Sequence, residues 1–461
     1  MKHSDTISII GAGLAGCEAA YQIAKRGIPV TLYEAKPLQM SAAHKSADFA
    51  ELVCSNSLKS LDPYTAHGLL KAEMRLLDSL ILRCAEASRI PAGGALAVDR
   101  ELFAKTVTQA IQENPNIRVV CETVDSVPPD GITVIATGPL TVGRLADELD
   151  EKFEGNLSFY DAAAPIVSCE SIDRENAFFA SRYGKSGDRS QGLGAGEDAA
   201  GDYLNCPLTE SEYYAFIDAL VKAERAPLKE FDIIKPNPPP AARHSLYFEG
   251  CMPIEALAAR GRDTLRFGPL KPVGIADPRT GKRPFAVVQL RKENAAGEMF
   301  NLVGFQTNLK FAEQRRVFSI IPALKNAEFL RYGVMHRNTF VNAPNILNRR
   351  FQVKSAPRIF IAGQLSGVEG YVESAASGLI AGIYAATETK NEKRITNNDR
   401  LPDVTMLGSL SRYLTTPNPD FQPMNSNFGL LPPLDIRDKS LRRKAFSERS
   451  LDALKSFIDA T

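Results

Sequence analysis

Two kinds of residue in this 461-residue chain have types and spacing suited to chemistry: an N-terminal glycine cluster and its cysteines. Gly11-Ala12-Gly13-Leu14-Ala15-Gly16 follows directly on the apolar run Ile7, Ile9, Ile10. A helical pattern at 17–26 comes next, and Val30-Thr-Leu32-Tyr then ends in Glu34. Strand, glycine turn, helix, strand and acid together make a complete dinucleotide fingerprint. Gly11 permits the tight turn, Gly13 lets backbone approach a pyrophosphate, and Gly16 lets helix and strand pack closely. The helix N-terminus offers free N–H groups to phosphates, and Glu34 can accept from ribose hydroxyls. The cysteines stand at 17, 54, 84, 121, 169, 206 and 251. They form no C-x-x-C pair and are odd in number, so reduced thiols are expected rather than a disulfide scaffold or zinc site. The histidines form no H-x-x-x-H pattern, and no metal is expected.

Composition bounds the elements that must position these groups. Lys+Arg number 55 against 54 Asp+Glu, so no basic arm dominates the chain, although local basic patches remain open. With 44% hydrophobic residues the chain is ordinary globular material, long enough for two or three domains. No stretch reaches the roughly 18 apolar residues of a membrane span. The N-terminus carries no secretory pattern, and a cytoplasmic location is expected. Residues 36–62 read as a long, functional loop, 64–88 and 99–113 as helices, and 118–121 and 133–138 as strands, the last closing in Ala136-Thr137-Gly138. Residues 182–202, with Gly192, Gly194 and Gly196, lack a preceding strand and read as a surface loop. Residues 209–223 read as a helix, Pro236 to Pro240 as a stiff connection, and 265–332 as short strands of an inserted unit. Late in the chain a buried strand, 358–363, leads into Gly363-Gln364 and Gly370-Tyr371, and a helix of small residues follows. One fingerprint at the N-terminus plus this late element is the layout of FAD enzymes. FAD is therefore expected on Gly11 to Gly16, Glu34, Gly138, Gly363, Gln364, Gly370 and Tyr371. The small residues are expected to let the helix approach cofactor or sheet. Glu369 and Glu373 are candidates for cofactor edges or helix capping, and His44 and Lys45 read as exposed loop. The basic runs 390–394 and 437–444 read as solvated helix faces, with RNA contact as the sharper alternative.

The segments GAGLAGCEAA (11–20), AELVCSNSLKS (50–60), YLNCPLTESEY (203–213), FEGCMPIEALAARG (248–261) and GQLSGVEGYVESAASG (363–378) together closely resemble the folate- and FAD-dependent tRNA (uracil-5-)-methyltransferase family, TrmFO/Gid, over nearly the whole chain. Only the glycine-rich stretch 184–202 is longer than the family pattern. The resemblance implies an α/β fold: a glutathione-reductase-like Rossmann FAD-binding domain, in parts 1–165 and 326–461, with an inserted α+β domain at 166–325. It implies transfer of one carbon from 5,10-methylenetetrahydrofolate to C5 of the T-loop uridine of tRNA, with FAD as carrier and NADPH or NADH as electron source. No obligate protein partner is inferred.

Uracil C5 is a poor nucleophile until a thiolate adds at C6, and thiolates both attack and leave readily. Cys251 precedes Met252-Pro253-Ile-Glu255, and Pro253 is suited to the first position of a helix whose dipole would lower the thiol pKa. Cys251 is therefore expected to be the C6 nucleophile. By resemblance, Cys54 is the second essential thiol, aiding C5 deprotonation or closing the site. The other cysteines are expected to be structural. Alternatives are a wobble-uridine flavoenzyme of the MnmG type, against which the VCSNS and GCMPIE motifs count, a small-molecule FAD oxidoreductase, and a non-catalytic FAD- or NAD-binding regulator.

Overall fold

The computed structural model describes residues 6–41, 44–141, 143–153, 157–162, 164–184, 201–226, 252–293, 296–333, 335–389, 400–418 and 421–460. Alternating short apolar strands and helices at its two ends assemble one six-stranded sheet. Its order is Gln352–Val353, Ala356–Ile361, Thr133–Ile135, Ile7–Ile10, Val30–Glu34, Ile117–Cys121. Every pairing is parallel except the first, at the edge. Ile7, Ile9, Val30, Leu32, Val134 and Ile359 are all buried, as strands covered on both faces require.

The Leu14–Ala24 helix packs on this sheet and on the late Tyr371–Thr389 helix. The contact between the two helices is backbone to backbone. A Cβ at Gly378 would collide with the Ala15 carbonyl and lie 2.7 Å from Ala15 Cα, and one at Gly382 would lie 2.8 Å from Ala19 Cα. These glycines of the late helix therefore serve a helix crossing, rather than close approach to sheet or cofactor as the sequence suggested.

Buried carboxylates pin other helices. Glu18 accepts from Ser79 Oγ at 2.7 Å and Ile81 N at 2.9 Å, capping the Leu80–Ala87 helix. Glu73 accepts from the Met406 and Leu407 amides at 2.7 and 2.8 Å and from Ser450 Oγ. One buried group thus holds the Met406–Thr415 helix and the C-terminal Lys439–Ala460 helix. Burial pushes Glu73 up to about 7, against the pull of those donors.

The expected single helix at 64–88 is two, Ala66–Leu76 and Leu80–Ala87. The break is Asp78, whose backbone is left-handed at φ 56°, followed by Ser79 capping the Leu82 amide. The long loop 36–62 contains a strand, Ser57–Ser60, paired with Ala95–Val98.

A second six-stranded sheet, entirely antiparallel, runs Phe178–Ala180, Tyr203–Leu208, Ala286–Lys292, Met299–Leu302, Ile166–Ser168, Phe329–Arg331. Its own core includes Phe216, Phe300, Phe305 and Phe318, and its Glu210–Lys222 helix starts on a Thr209/Glu212 capping box. Phe329–Arg331 lies past the expected boundary at 325, yet it pairs in this sheet. The two-stranded ribbon Leu157–Ala162 with Met335–Phe340 joins the two parts. The glycine-rich loop at 185–200, the proline run 236–240 and the basic run 390–394 fall outside the described residues.

Gly378→Ala should destabilise the first core by about 1–3 kcal/mol, as overpacking a tight crossing does. Denaturant unfolding measures this. The same change at Gly138, where a Cβ would meet no atom within 4 Å, tests only the strain of its φ of +76°.

Candidate active site

The fingerprint folds as a nucleotide cradle. Gly11 has φ +98°, and a Cβ there would sit 2.6 Å from the Ala136 carbonyl oxygen. Gly13 caps the Leu14–Ala24 helix with no side chain over its N-terminus and no acid in the first turn, and its missing Cβ faces open space. That vacancy and the free helix end fit a dinucleotide phosphate. Glu34 takes the Ala12 amide on Oε2 at 2.7 Å and the Lys36 amide on Oε1 at 2.9 Å. A carboxylate has further lone pairs, so Glu34 can still accept from a ribose while it fixes the loop.

The cysteine segment begins on this cradle, where the Ala50 amide donates to Ala12 O at 2.9 Å. Over residues 52–56 many of the polar groups are held by side chains from elsewhere. Arg100 Nη1 donates to Leu52 O at 2.6 Å and Nη2 to Cys54 O at 3.4 Å. Arg331 Nη2 donates to Val53 O at 2.5 Å. The Cys54 and Ser55 amides donate to Tyr371 Oη at 2.6 and 3.1 Å. Arg291 Nη2 donates to Ser55 Oγ at 2.8 Å and its Nε to Asn56 Oδ1 at 2.7 Å. Asn56 Nδ2 donates to Lys292 O and Val98 O. Arg100 is itself gripped through Nε and Nη2 by Glu293, which is 2% exposed. Arg291, Lys292, Glu293 and Arg331 belong to the inserted sheet or its strand ends, so this segment lies in the seam between the two parts.

Cys54 is half-buried there, within electrostatic reach of Arg100, Arg331 and Tyr371. Burial pushes the thiols of Cys17, Cys84 and Cys206 up, Cys84 to about 11 and Cys206 to about 12. Those three pack in the cores.

The late motif closes the site from the other side. Gly363 turns at φ +76° and its amide donates to Ser377 Oγ, while Gln364 Nε2 donates to Glu369 Oε2 at 2.9 Å. Burial and Cys54 push the Tyr371 hydroxyl up, so it stays protonated while it accepts the two amides. Two residues on, Glu373 is fully buried. Its Oε1 accepts from Ser426 N and Oγ at 3.0 and 2.6 Å and lies 3.3 Å from His67 Nδ1. Burial alone would push Glu373 up, but Lys59, His67 and Ser426 outweigh it and hold the carboxyl at about 2. Glu373 is thus an internal counter-charge. Lys71, wholly buried with Nζ on Leu58 O, is pushed down to about 7 by burial against the opposing pull of Glu373.

Cys251 lies outside the described residues. The helix after it is Ile254–Ala259, with Pro253 at the cap rather than in the first turn. Ile254 N donates to Gln306 O, and Glu255 in the first turn accepts from Asn308 N and Thr307 Oγ1. A six-residue helix that already carries a carboxylate at its start has little dipole left to lower a thiol pKa. What supports Cys251 is the motif around it.

Sequence reasoning missed Arg100, Arg291, Glu293 and Arg331. One signal was available: Gln289 and Arg291 alternate with Val288 and Leu290 along the Ala286–Lys292 strand, placing two polar side chains on one strand face, and Glu293 follows just past its end.

Comparison with known proteins matches residues 6–393 to the family model "Glucose inhibited division protein A". Proteins of Acetivibrio thermocellus and Desulfitobacterium hafniense, each named methylenetetrahydrofolate--tRNA-(uracil-5-)-methyltransferase TrmFO, are 53% and 55% identical. They align over 98% of this chain and 99% and 98% of their own lengths. The chain belongs to the TrmFO/GidA family. A solved structure of Aquifex aeolicus GidA shares the fold, with TM-score 0.64 at 17% identity over 98% of this chain and 78% of that one. The fold is therefore the Rossmann FAD-binding fold of this family, carrying an inserted antiparallel sheet. Among the described residues no helix is long and apolar enough to cross a membrane.

Because the folded state holds Glu373 near 2, below the ordinary 4.5, its ionisation stabilises the protein above about pH 4.5, and that contribution is lost as pH falls towards 2. Glu373→Gln should therefore be less stable than the parent at neutral pH, by on the order of 3 kcal/mol. The gap should close progressively in unfolding measurements below pH 4.5.

Proposed function

We propose that this chain methylates C5 of the T-loop uridine of tRNA, taking the carbon from 5,10-methylenetetrahydrofolate. The carrying observation is 51–55% identity, over essentially the full length, to proteins named for that reaction. FAD is held by Gly11 to Gly16, Glu34, Gly138, Gly363, Gln364, Gly370 and Tyr371, and when reduced it supplies the electrons that turn the transferred carbon into a methyl group. NADPH or NADH is the electron source. The sequence has no second dinucleotide fingerprint, so the nicotinamide is taken to bind transiently at the flavin face.

The residues divide the remaining work. Cys251 adds to C6 of the uracil, which makes C5 enolate-like and able to bond the folate-borne carbon. The C5 proton is removed and the carbon–nitrogen bond to the folate breaks, so that tetrahydrofolate leaves; a hydride equivalent, which reduced FAD would supply, completes the methyl group as the thiolate is expelled from C6 and the ring is restored. Cys54 is the second thiol, kept near its cations by the grip on residues 52–56 and suited to aid removal of the C5 proton. Arg100, Arg291 and Tyr371 are positioning residues for it. The part formed by 1–165 and the chain after the Phe329–Arg331 strand holds the cofactor, and the inserted part from 166 through that strand faces the RNA. The target uridine must leave its loop to reach both thiols. The reaction is taken to occur in the cytoplasm. The wobble-uridine and small-molecule alternatives are not favoured by relatives of this identity and coverage.

The test is nucleoside mass spectrometry of undermodified tRNA incubated with the FAD-loaded protein, methylenetetrahydrofolate and NADPH. 5-Methyluridine should form, and Cys54→Ala and Cys251→Ala should each reduce it below about one hundredth while FAD stays bound. A yellow protein that makes none of this nucleoside would refute the assignment.

A further inference from the structure

Three cations converge on the segment that carries Cys54. Arg100 and Arg331 grasp the successive carbonyls of Leu52, Val53 and Cys54, so their guanidiniums are neighbours. The loop that carries Lys45 is tied to the same segment, because the Lys45 amide donates to both carboxylate oxygens of Glu51 at 3.0 and 3.1 Å, and the Lys45 ammonium lies within electrostatic reach of Arg331 and Arg100. The two acids that face the group are already engaged. Glu293 is bound by Arg100, and Glu51 is bound by the amides of Lys45 and Ser46.

Arg331 differs from Arg100. It has no carboxylate within salt-bridge distance among the described residues, and the Val53 carbonyl is its one hydrogen-bond acceptor among them. Its guanidinium is half-buried, with its remaining N–H groups unengaged among the described residues. The Lys45 ammonium is exposed and likewise has no hydrogen bond or ion pair among the described residues. Burial and the neighbouring Arg100 push Arg331 down, and burial and Arg331 push Lys45 down against the pull of Glu51. The fold therefore carries a like-charge cluster that an added anion would relieve, with one planar donor fork free to receive it.

We propose that Arg331, assisted by Lys45, is an oxyanion fork beside Cys54 that takes a backbone phosphate of the RNA next to the target uridine. This rests on the tRNA reading above. Arg331 ends an edge strand of the inserted sheet, within electrostatic reach of the half-buried Cys54, and Lys45 lies on an exposed loop of the cofactor part within reach of Arg331. A base drawn out of its loop carries its adjoining phosphates to that rim. A guanidinium fork matches two phosphate oxygens, where an ammonium contributes a point charge. Arg331 is thus a specificity and positioning residue, distinct from the groups that react.

The experiment measures Kd for undermodified tRNA across a potassium chloride series, together with the KM for methylenetetrahydrofolate. The proteins are FAD-loaded wild type, Arg331→Gln, Arg331→Lys and Lys45→Gln. Arg331→Gln should weaken tRNA binding about tenfold and flatten the plot of log K against log salt by about one phosphate contact. Arg331→Lys should keep the slope while losing affinity, and Lys45→Gln should flatten the slope with normal FAD content. Should Arg331→Gln fail to load FAD, the exposed Lys45→Gln decides. Unchanged slopes would overturn the proposal, as would a raised folate KM with tRNA binding intact, which would place a folate carboxylate on the fork. A wild type that makes no 5-methyluridine overturns the parent reading as well, whereas unchanged slopes in an active enzyme overturn this assignment alone.

Discussion

The site depends on how the carbonyls and amides of Leu52 to Asn56 are satisfied. This stretch lies between two cores with little regular structure of its own, and buried backbone polar groups left without partners cost about 1–3 kcal/mol each. Here the partners are side chains: Arg100 and Tyr371 from the cofactor part, Arg291 and Arg331 from the inserted part. Holding the segment and holding the two parts together are therefore one set of interactions. The Arg100–Glu293 pair illustrates the stakes, because removing one member of a buried ion pair typically costs about 3–5 kcal/mol.

The same economy of buried polar groups runs through the cofactor part. Glu18 and Glu73 each add a buried carboxylate to a helix start that Ser79 or Thr405 already caps, and Glu73 joins three helices through one carboxylate. Glu373 does the corresponding work at the start of the late helix, where it balances Lys59 and His67 two residues from Tyr371. The glycines at 378 and 382 then allow that helix to lie directly on the fingerprint helix. As a result, the nucleotide cradle, the Tyr371 hydroxyl and Cys54 are connected through rigid neighbours.

Much of this was legible in the sequence. The fingerprint and the late strand–glycine–helix element are local patterns, because tight turns and close helix packing demand glycine at fixed spacing, and both elements form. The helix at 64–88 was misread because Asp78 and Ser79 break it by backbone conformation and capping, which hydrophobic periodicity does not register. The clamp on residues 52–56 was not legible for a different reason. Asn56 and Arg291 meet across 235 positions of chain, and no local pattern encodes such a pairing. The alternation of Gln289 and Arg291 along the Ala286–Lys292 strand was the one visible trace. Cys251 is supported by its motif alone, since its short following helix, with Glu255 in the first turn, gives no electrostatic argument of its own.

Hydrogen exchange at the Cys54 and Ser55 amides tests the central claim most directly, since both donate to a single oxygen, Tyr371 Oη. In the FAD-loaded protein these two amides should exchange slowly, and in Tyr371→Phe they should exchange at least about tenfold faster while the Gly11 amide is unchanged. Free-peptide exchange rates at Cys54 and Ser55 in the parent protein, or rates indifferent to loss of the hydroxyl, would contradict a segment held in place by side chains from both parts of the molecule.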